Sequence, residues 1–276
     1  MPILIADRLP ISEDEKAVAF IATVVWLGLT ALWLSQLRER KHILGATPWK
    51  GVLRVCQLLA VALVYAVLQV ASAHDVRDDP RYLYLYTALG GAWIGAFMLG
   101  TPWLGISLRD DVVERRNPAA AAALVGWALA LGLCFAGGNI GNGPGWWVVV
   151  FSSGLATAAL CALQLLALTV GPAVELVTVE RDLASGLRLA AAAIAEALVL
   201  CAAAAGDWVS AEATLRDFAA RGWPALCLAL AALAFDAALR PRRESPQRSA
   251  VACGLLPGAI LVSAAVAWLV MLGGPP

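Results

Sequence analysis

Residues 118–138 read PAAAAALVGWALALGLCFAGG, and not one of them carries a charge. At 1.5 Å per residue, a helix of this length spans the roughly 30 Å of hydrocarbon in a bilayer. The rest of the chain decides whether that helix belongs to a soluble core or a membrane. Hydrophobic residues make up 61% of the 276 positions and charged residues 14%, against about 45–50% and 25% in soluble domains. A soluble fold of this size has too little interior to hide so much apolar surface. The composition therefore excludes a soluble enzyme, a disordered tail, a coiled coil and a nucleic-acid binder.

Outward from this stretch the apolar blocks predict an all-α polytopic membrane protein with eight helices, over 17–36, 52–73, 82–105, 118–138, 147–171, 186–206, 222–239 and 250–272. None has the short alternating pattern of a barrel strand. Between them the chain breaks at charge runs or Gly/Pro clusters: Arg38 to Lys41, His74 to Arg81, Arg109 to Arg116, Gly141 to Gly145, and Arg240 to Arg248. Ser210 to Arg221 reads as a short interfacial helix. The chain divides into three units: 1–105, a three-helix segment; 106–239, a duplicated hairpin; and 240–276, a basic loop with a last span.

The first span is flanked by Glu13, Asp14 and Glu15 upstream and by Arg38, Arg40 and Lys41 downstream. A cleavable signal peptide has the opposite asymmetry, so this span reads as an anchor with its N-terminus outside. All 20 Lys and Arg then divide between the two sides. Arg38, Arg40, Lys41, Lys50, Arg54, Arg109, Arg115, Arg116, Arg181, Arg188, Arg240, Arg242, Arg243 and Arg248 fall inside. Arg8, Lys16, Arg77, Arg81, Arg216 and Arg221 fall outside. The excess of cations on one side sets that side as cytoplasmic, with both termini outside. Tyr82, Tyr84, Tyr86, Trp146, Trp147, Trp208 and Trp223 at outer ends, and Trp33, Trp49 and Trp103 near inner ends, read as interfacial belts.

Val113-Glu114-Arg115 recurs as Val179-Glu180-Arg181, Leu133-Cys134 as Leu200-Cys201, and Leu160-Cys161 as Leu226-Cys227. The matches predict a parallel repeat of a two-helix hairpin, 113–171 and 179–239, about an axis along the membrane normal. Residues 106–138, beginning Ile-Ser-Leu-Arg-Asp-Asp-Val-Val-Glu-Arg-Arg-Asn-Pro-Ala, resemble the bacterial inner-membrane family called domain of unknown function 350. That family has two tandem hairpins, the first opening with Gly-Asn-x-Ala-x-Ala. Here Arg116 stands where the Gly would be, followed by Asn117, Pro118, Ala119 and Ala121. The second copy, Asp182-Leu183-Ala184-Ser185-Gly186, lacks the Asn. The resemblance covers 106–239 and implies a fold and an inner-membrane location. It implies no settled activity.

Among candidate site residues, Glu196 lies near the midplane of the sixth span, where a charge costs roughly 2.5–3.5 kcal/mol on insertion scales. It reads either as a proton- or cation-handling carboxyl facing the bundle interior or as hydrogen-bonded glue, with Gln164 or a backbone carbonyl as partner. Asp236 precedes Arg240 by four residues, a local helical pair. Arg54 and Arg188 sit one turn inside helix ends and read as snorkelling cations. The inner segments carrying Arg109, Glu114, Arg115, Asn117, Glu180 and Arg181 form a candidate cytoplasmic docking surface for a protein partner. Gly91 and Gly95 make a GxxxG pair, for packing within the chain or for a homo-oligomer. The run Gly137 to Gly145 follows a membrane helix and lacks the Gly-Lys-Ser ending of a phosphate loop, so it reads as a flexible outer turn. His74, Asp75, Asp78 and Asp79 read as a solvated loop, and the six cysteines as buried thiols. No cofactor is implied. The functional readings are a membrane component or scaffold, then a small proton-coupled transporter or channel using Glu196, then a lipid-modifying enzyme.

The charge asymmetry fixes a direct test. Reporter fusions after Lys41 and after Arg243 should report cytoplasm, and a fusion after Pro276 should report periplasm. A cytoplasmic reporter at 276 contradicts both the span count and the orientation.

Overall fold

The computed structural model describes residues 11–38, 49–241 and 249–272. Six cations counted in the charge asymmetry (Arg8, Arg40, Lys41, Arg242, Arg243 and Arg248) lie outside the described residues, as does position 276. The described chain is helical, and eight of its helical stretches are long and apolar enough to cross a membrane. They are α1 (Glu13–Gln36), α2 (Lys50–Ala71), α3 (Pro80–Leu99), α4 (Pro118–Gly137), α5 (Trp146–Val170), α6 (Leu183–Ala204), the pair α7 (Ala211–Gly222) and α8 (Pro224–Leu239), and α9 (Leu256–Met271) with the π-helical Val251–Leu255 before it.

Local signals explain where these helices start. Ser12 caps α1 while Glu15 reaches back to the Ser12 amide at 2.9 Å, a capping box. The acidic flank Glu13–Glu15 thereby sits on the positive end of a helix dipole. Asp79 caps α3 by accepting from the Arg81 amide at 2.9 Å. Asn117 Oδ1 caps α4 through the amides of Ala119 and Ala120, at 2.9 and 3.2 Å. Asp182 Oδ2 caps α6 through the Ser185 amide at 2.9 Å. Pro80, Pro118 and Pro224 occupy first-turn positions, where a missing N–H costs nothing.

The centre of the bundle is the pair α4 and α6, which have the most extensive contact of any two helices. Gly186 meets Ala119 near their starts, Gly126 meets Ala190 midway, and Gly137 meets Cys201 near their ends. The order of these contacts makes the two helices parallel. At all three glycines an added Cβ would lie closer than 3.0 Å to backbone of the facing helix. α6 also packs on α5, α7, α8 and α9, while α2 covers α4 and α3 leans on α2 and α4. α1 is peripheral and rests on α3, where Gly91 receives the ring of Trp26 and Gly95 receives Leu29. The GxxxG face is thus covered by the chain's own first helix, so Gly91 and Gly95 do not present a free surface to a second copy.

One backbone pattern occurs twice. Before α4 a π-helical segment, Leu108–Glu114, ends at Arg116 with φ 52°; before α6 a short helix, Ala173–Thr178, ends at Arg181 with φ 57°. The Asn117 amide reaches back to Asp111 O at 3.1 Å, and the Asp182 amide reaches back to Leu176 O at 2.9 Å. Beyond the helices, Gly141 (φ 111°) and Gly206 (φ 144°) hold the same relation. These landmarks recur 65 residues apart, the separation that also joins the Asn142 amide to Asp207 Oδ1 at 2.7 Å. The residue matches read from sequence had spacings of 66 and 67.

One expectation needs correction. The glycine-rich run 137–145 is not a loose turn. Ile140 and Gly141 bridge to Ser72, the Gly206 amide donates to Ile140 O at 2.9 Å, and the Trp208 amide donates to Asn142 O at 2.8 Å. A side chain at Gly141 would strike the Gly206 backbone, so glycine here permits a tight joint between the two hairpins. The expected short helix is present as α7, largely exposed and carrying Glu212, Arg216, Asp217 and Arg221, and Trp223 in the right-handed helical region (φ −54°, ψ −29°) joins it to α8.

Substitutions should follow the packing. Gly126→Leu should cost about 3 kcal/mol or more, the upper end for overpacking, and abolish a monodisperse peak in detergent. Gly51→Ala, with nothing within 4 Å of the new Cβ, should hold or gain stability. Arg116→Gly should raise the thermal midpoint, because the left-handed conformation costs a non-glycine residue about 1–2 kcal/mol.

Candidate functional site

Of the buried polar groups among the described residues, two clusters involve α6. The first is Glu196 with Gln164. Glu196 is 0% exposed and faces the interior of the bundle, and Gln164 of α5 is 3% exposed. Gln164 Nε2 donates to Glu196 Oε2 at 2.8 Å, the contact anticipated between these two side chains. The other oxygen, Oε1, is buried and has no hydrogen-bond partner among the described residues. Beside Gln164 is a cavity of about 20 Å³, walled by Thr101, Leu104, Trp127, Leu168, Leu189 and Ala193 among others. It is large enough for one water or a group of that size. Trp127 is 5% exposed, and its indole N–H is likewise buried without a partner.

The second cluster is centred on Arg188, 1% exposed. Its Nε donates to Asp236 Oδ1 of α8 at 2.6 Å, one terminal nitrogen donates to Ser185 Oγ at 2.9 Å, and the other donates to Cys253 O. Ser185 Oγ in turn donates to the α6 cap Asp182 at 2.6 Å. The Cys253 carbonyl is available for a simple reason. Its α-helical donor would be the amide of residue 257, which is Pro257 and has none. The preceding segment is accordingly π-helical, and Arg188 fills the gap. Reading Arg188 as a snorkelling cation was therefore wrong: the side chain turns inward and joins α6, α8 and α9. The ion pair of Asp236 likewise crosses to another helix and is not confined to the expected local pairing with Arg240.

The expected docking segment is largely spent on internal contacts. Arg109 pairs with Glu114 at 3.0 Å and donates to the carbonyls of Gln36 and Arg38 at 3.3 and 2.6 Å. Arg115 pairs with the buried Asp111 at 3.1 Å. Asn117 is 0% exposed, and its Nδ2 donates to Val177 O at 2.6 Å, tying the start of α4 to the segment before α6. Asn117 is therefore a structural cap and is not available to a partner. Glu180 and Arg181 remain exposed. Among the described residues no group of three or more His, Cys, Asp or Glu is gathered as a metal site.

Of the residues that matter here, sequence reasoning misread Arg188 and missed Trp127. Pro257 within an apolar block was a signal for the first, since it orphans one carbonyl inside a span. Trp127 carried no such signal, because an indole in a span is ordinary until its N–H is found without a partner.

The Arg188–Asp236 pair makes a stability prediction. Arg188→Met should destabilise by about 3–5 kcal/mol by stranding a buried carboxylate, while the double variant Arg188→Met/Asp236→Leu should recover most of the loss. Thermal unfolding of the three purified variants in detergent reads this directly. In comparisons with protein-family models, curated proteins and solved structures, this chain of eight candidate membrane spans matches none.

Proposed function

We propose that this chain is a multi-pass protein of the bacterial inner membrane, oriented with both ends of the sequence outside, and that it carries out proton-coupled transport with Glu196 as the proton-handling group. The reading rests on one observation, the half-satisfied carboxylate. Buried polar groups are almost always paired, and an intramembrane carboxyl is retained at a cost. Arg188 and Asp236 meet that expectation, whereas Glu196 leaves Oε1 without a partner. The bundle does not require an acid at this place. Leu131, 65 residues earlier, fills the corresponding position of α4 and is 0% exposed.

The recurrent landmarks support a duplicated hairpin, with α4 and α6 flanking an axis along the membrane normal. The likeness of 106–239 to domain of unknown function 350 belongs to the same proposal. In this arrangement the two copies have the same direction, and Glu196 is where the second copy departs from the first, with Gln164 of the first copy as its partner. A scaffold role is the second reading, supported by the exposed Glu180 and Arg181. It ranks lower because Arg109, Arg115 and Asn117 are engaged within the chain.

Glu196→Gln separates the two. Glutamine keeps the shape and a hydrogen bond but cannot titrate. In vesicles carrying an internal pH dye, the wild type should move protons down an imposed gradient, and Glu196→Gln should stop that movement while remaining folded. Equal proton movement by both removes the transport reading. Glu196→Leu should loosen the bundle by roughly 0.6–2 kcal/mol, the range for hydrogen bonds between membrane helices.

A further inference from the structure

The small cavity beside Gln164 has a larger neighbour. A crevice of about 570 Å³ opens between α3 and α5, lined by Phe97, Trp103, Leu104, Cys161 and Leu165 and backed by Trp127 of α4. Its volume lies within the range of small-molecule sites, and these side chains are apolar. All three helices are candidate spans, so the crevice faces hydrocarbon, not water. Trp103, at its rim just past the end of α3, is 90% exposed, the placement of an interfacial anchor. The crevice thus runs from the membrane interface towards the interior.

Trp127 and Leu104 line both spaces. They form the partition between a lipid-facing crevice and the cavity whose wall includes Gln164, the residue bonded to Glu196. The polar side chains of the inner wall are Thr101, Trp127 and Gln164. Thr101 is already committed to Met98 O at 3.1 Å. The Trp127 indole N–H is buried without a partner among the described residues, and the Gln164 amide has an acceptor oxygen and a second N–H.

From this juxtaposition we infer that the crevice is a binding site for a single-chain, long-chain alcohol drawn from the bilayer, its tail in the crevice and its hydroxyl passing the Trp127–Leu104 partition to Gln164. The tail is assigned from the apolar lining. The head is assigned from size and pairing. A cavity of about 20 Å³ holds one non-hydrogen polar group, which excludes a phosphate or a choline. A hydroxyl both accepts from an indole N–H and donates to an amide oxygen. It carries no charge to desolvate. This inference names the substrate class for the proposed Glu196 site, and it rests on that reading only for the proton-coupled step after binding.

The test uses the full chain in phosphatidylcholine vesicles with hexadecanol bearing a photoactivatable diazirine, and peptide mapping of the adducts. Labelling should be saturable, should fall on residues 97–104 and 161–165, and should be displaced by unlabelled hexadecanol but not by hexadecylphosphocholine, which has the same tail. Cys161→Phe should abolish the saturable component. Trp127→Phe, which keeps an aromatic ring but deletes the donor together with part of the indole, should weaken displacement by hexadecanol by at least the roughly 2- to 10-fold that one hydrogen bond is worth. Equal displacement by the phosphocholine overturns the inference, as does labelling spread over the exposed α1 residues Phe20, Ile21 and Val24 or a Trp127→Phe variant identical to wild type. Glu196→Gln separates the two proposals. If labelling persists in that variant while proton movement is lost, both stand. Proton movement that depends on Glu196 without any saturable alcohol site removes this inference alone.

Discussion

The close parallel contact between α4 and α6 is the constraint on which the rest of the bundle depends. Lipid tails are as apolar as leucine, so the hydrophobic effect does not drive membrane helices together, and close packing must do so. Gly126, Gly137 and Gly186 let the two backbones approach to a distance that any side chain would block. Once α4 and α6 are fixed, α2, α5, α8 and α9 have a surface to pack on, and α6 becomes the helix that touches the most neighbours. Both helices are launched in the same way, by a left-handed arginine followed by a capping Asn or Asp. The joint at their far ends, where Asn142 meets Asp207, keeps them in register.

Because α6 is central, its polar residues reach places that polar residues rarely occupy, and its buried arginine and glutamate meet opposite outcomes. Arg188 finds a carboxylate, a hydroxyl and a carbonyl orphaned by Pro257, so a buried charge is matched by three partners. Glu196 finds one amide. In a low-dielectric interior a fully matched network rigidifies its surroundings, whereas a partly matched group retains an unmet demand for a partner. That contrast separates a structural clamp from a candidate working group within a single helix. It also draws attention to Trp127, a second unmatched group near Gln164, at the boundary with the lipid-facing crevice.

Much of the fold was legible in the residues. The span count and most helix ends are set by apolar block length, capping residues and first-turn prolines. The contact of Glu196 with Gln164 was legible as one of two alternatives, because an intramembrane carboxyl requires a partner and either an amide or a backbone carbonyl can serve. The fate of Arg188 was not legible. One turn inside a helix end, an arginine can snorkel outward or turn inward, and the choice depends on whether another helix brings an acid and a free carbonyl to meet it. The docking segment was misread for a similar reason. Arg109, Arg115 and Asn117 look available in a linear sequence, and become unavailable only when Glu114, Asp111 and Val177 are brought against them.

The sequence by itself determined that this chain is a membrane-spanning helical protein, where most of its helices start and stop, and which residues would be costly inside a bilayer. Those properties depend on composition and on neighbours within a few positions, so they are local. The tertiary structure decided which of the costly residues are satisfied, that Gly91 and Gly95 seat α1, and that a crevice and a cavity lie on either side of Trp127. Each of those depends on groups from different helices meeting in space, often more than 30 residues apart along the chain, as Gln164 and Glu196 are. Nothing in the order of residues sets such distances until the α4–α6 contact has fixed the register of the helices around it.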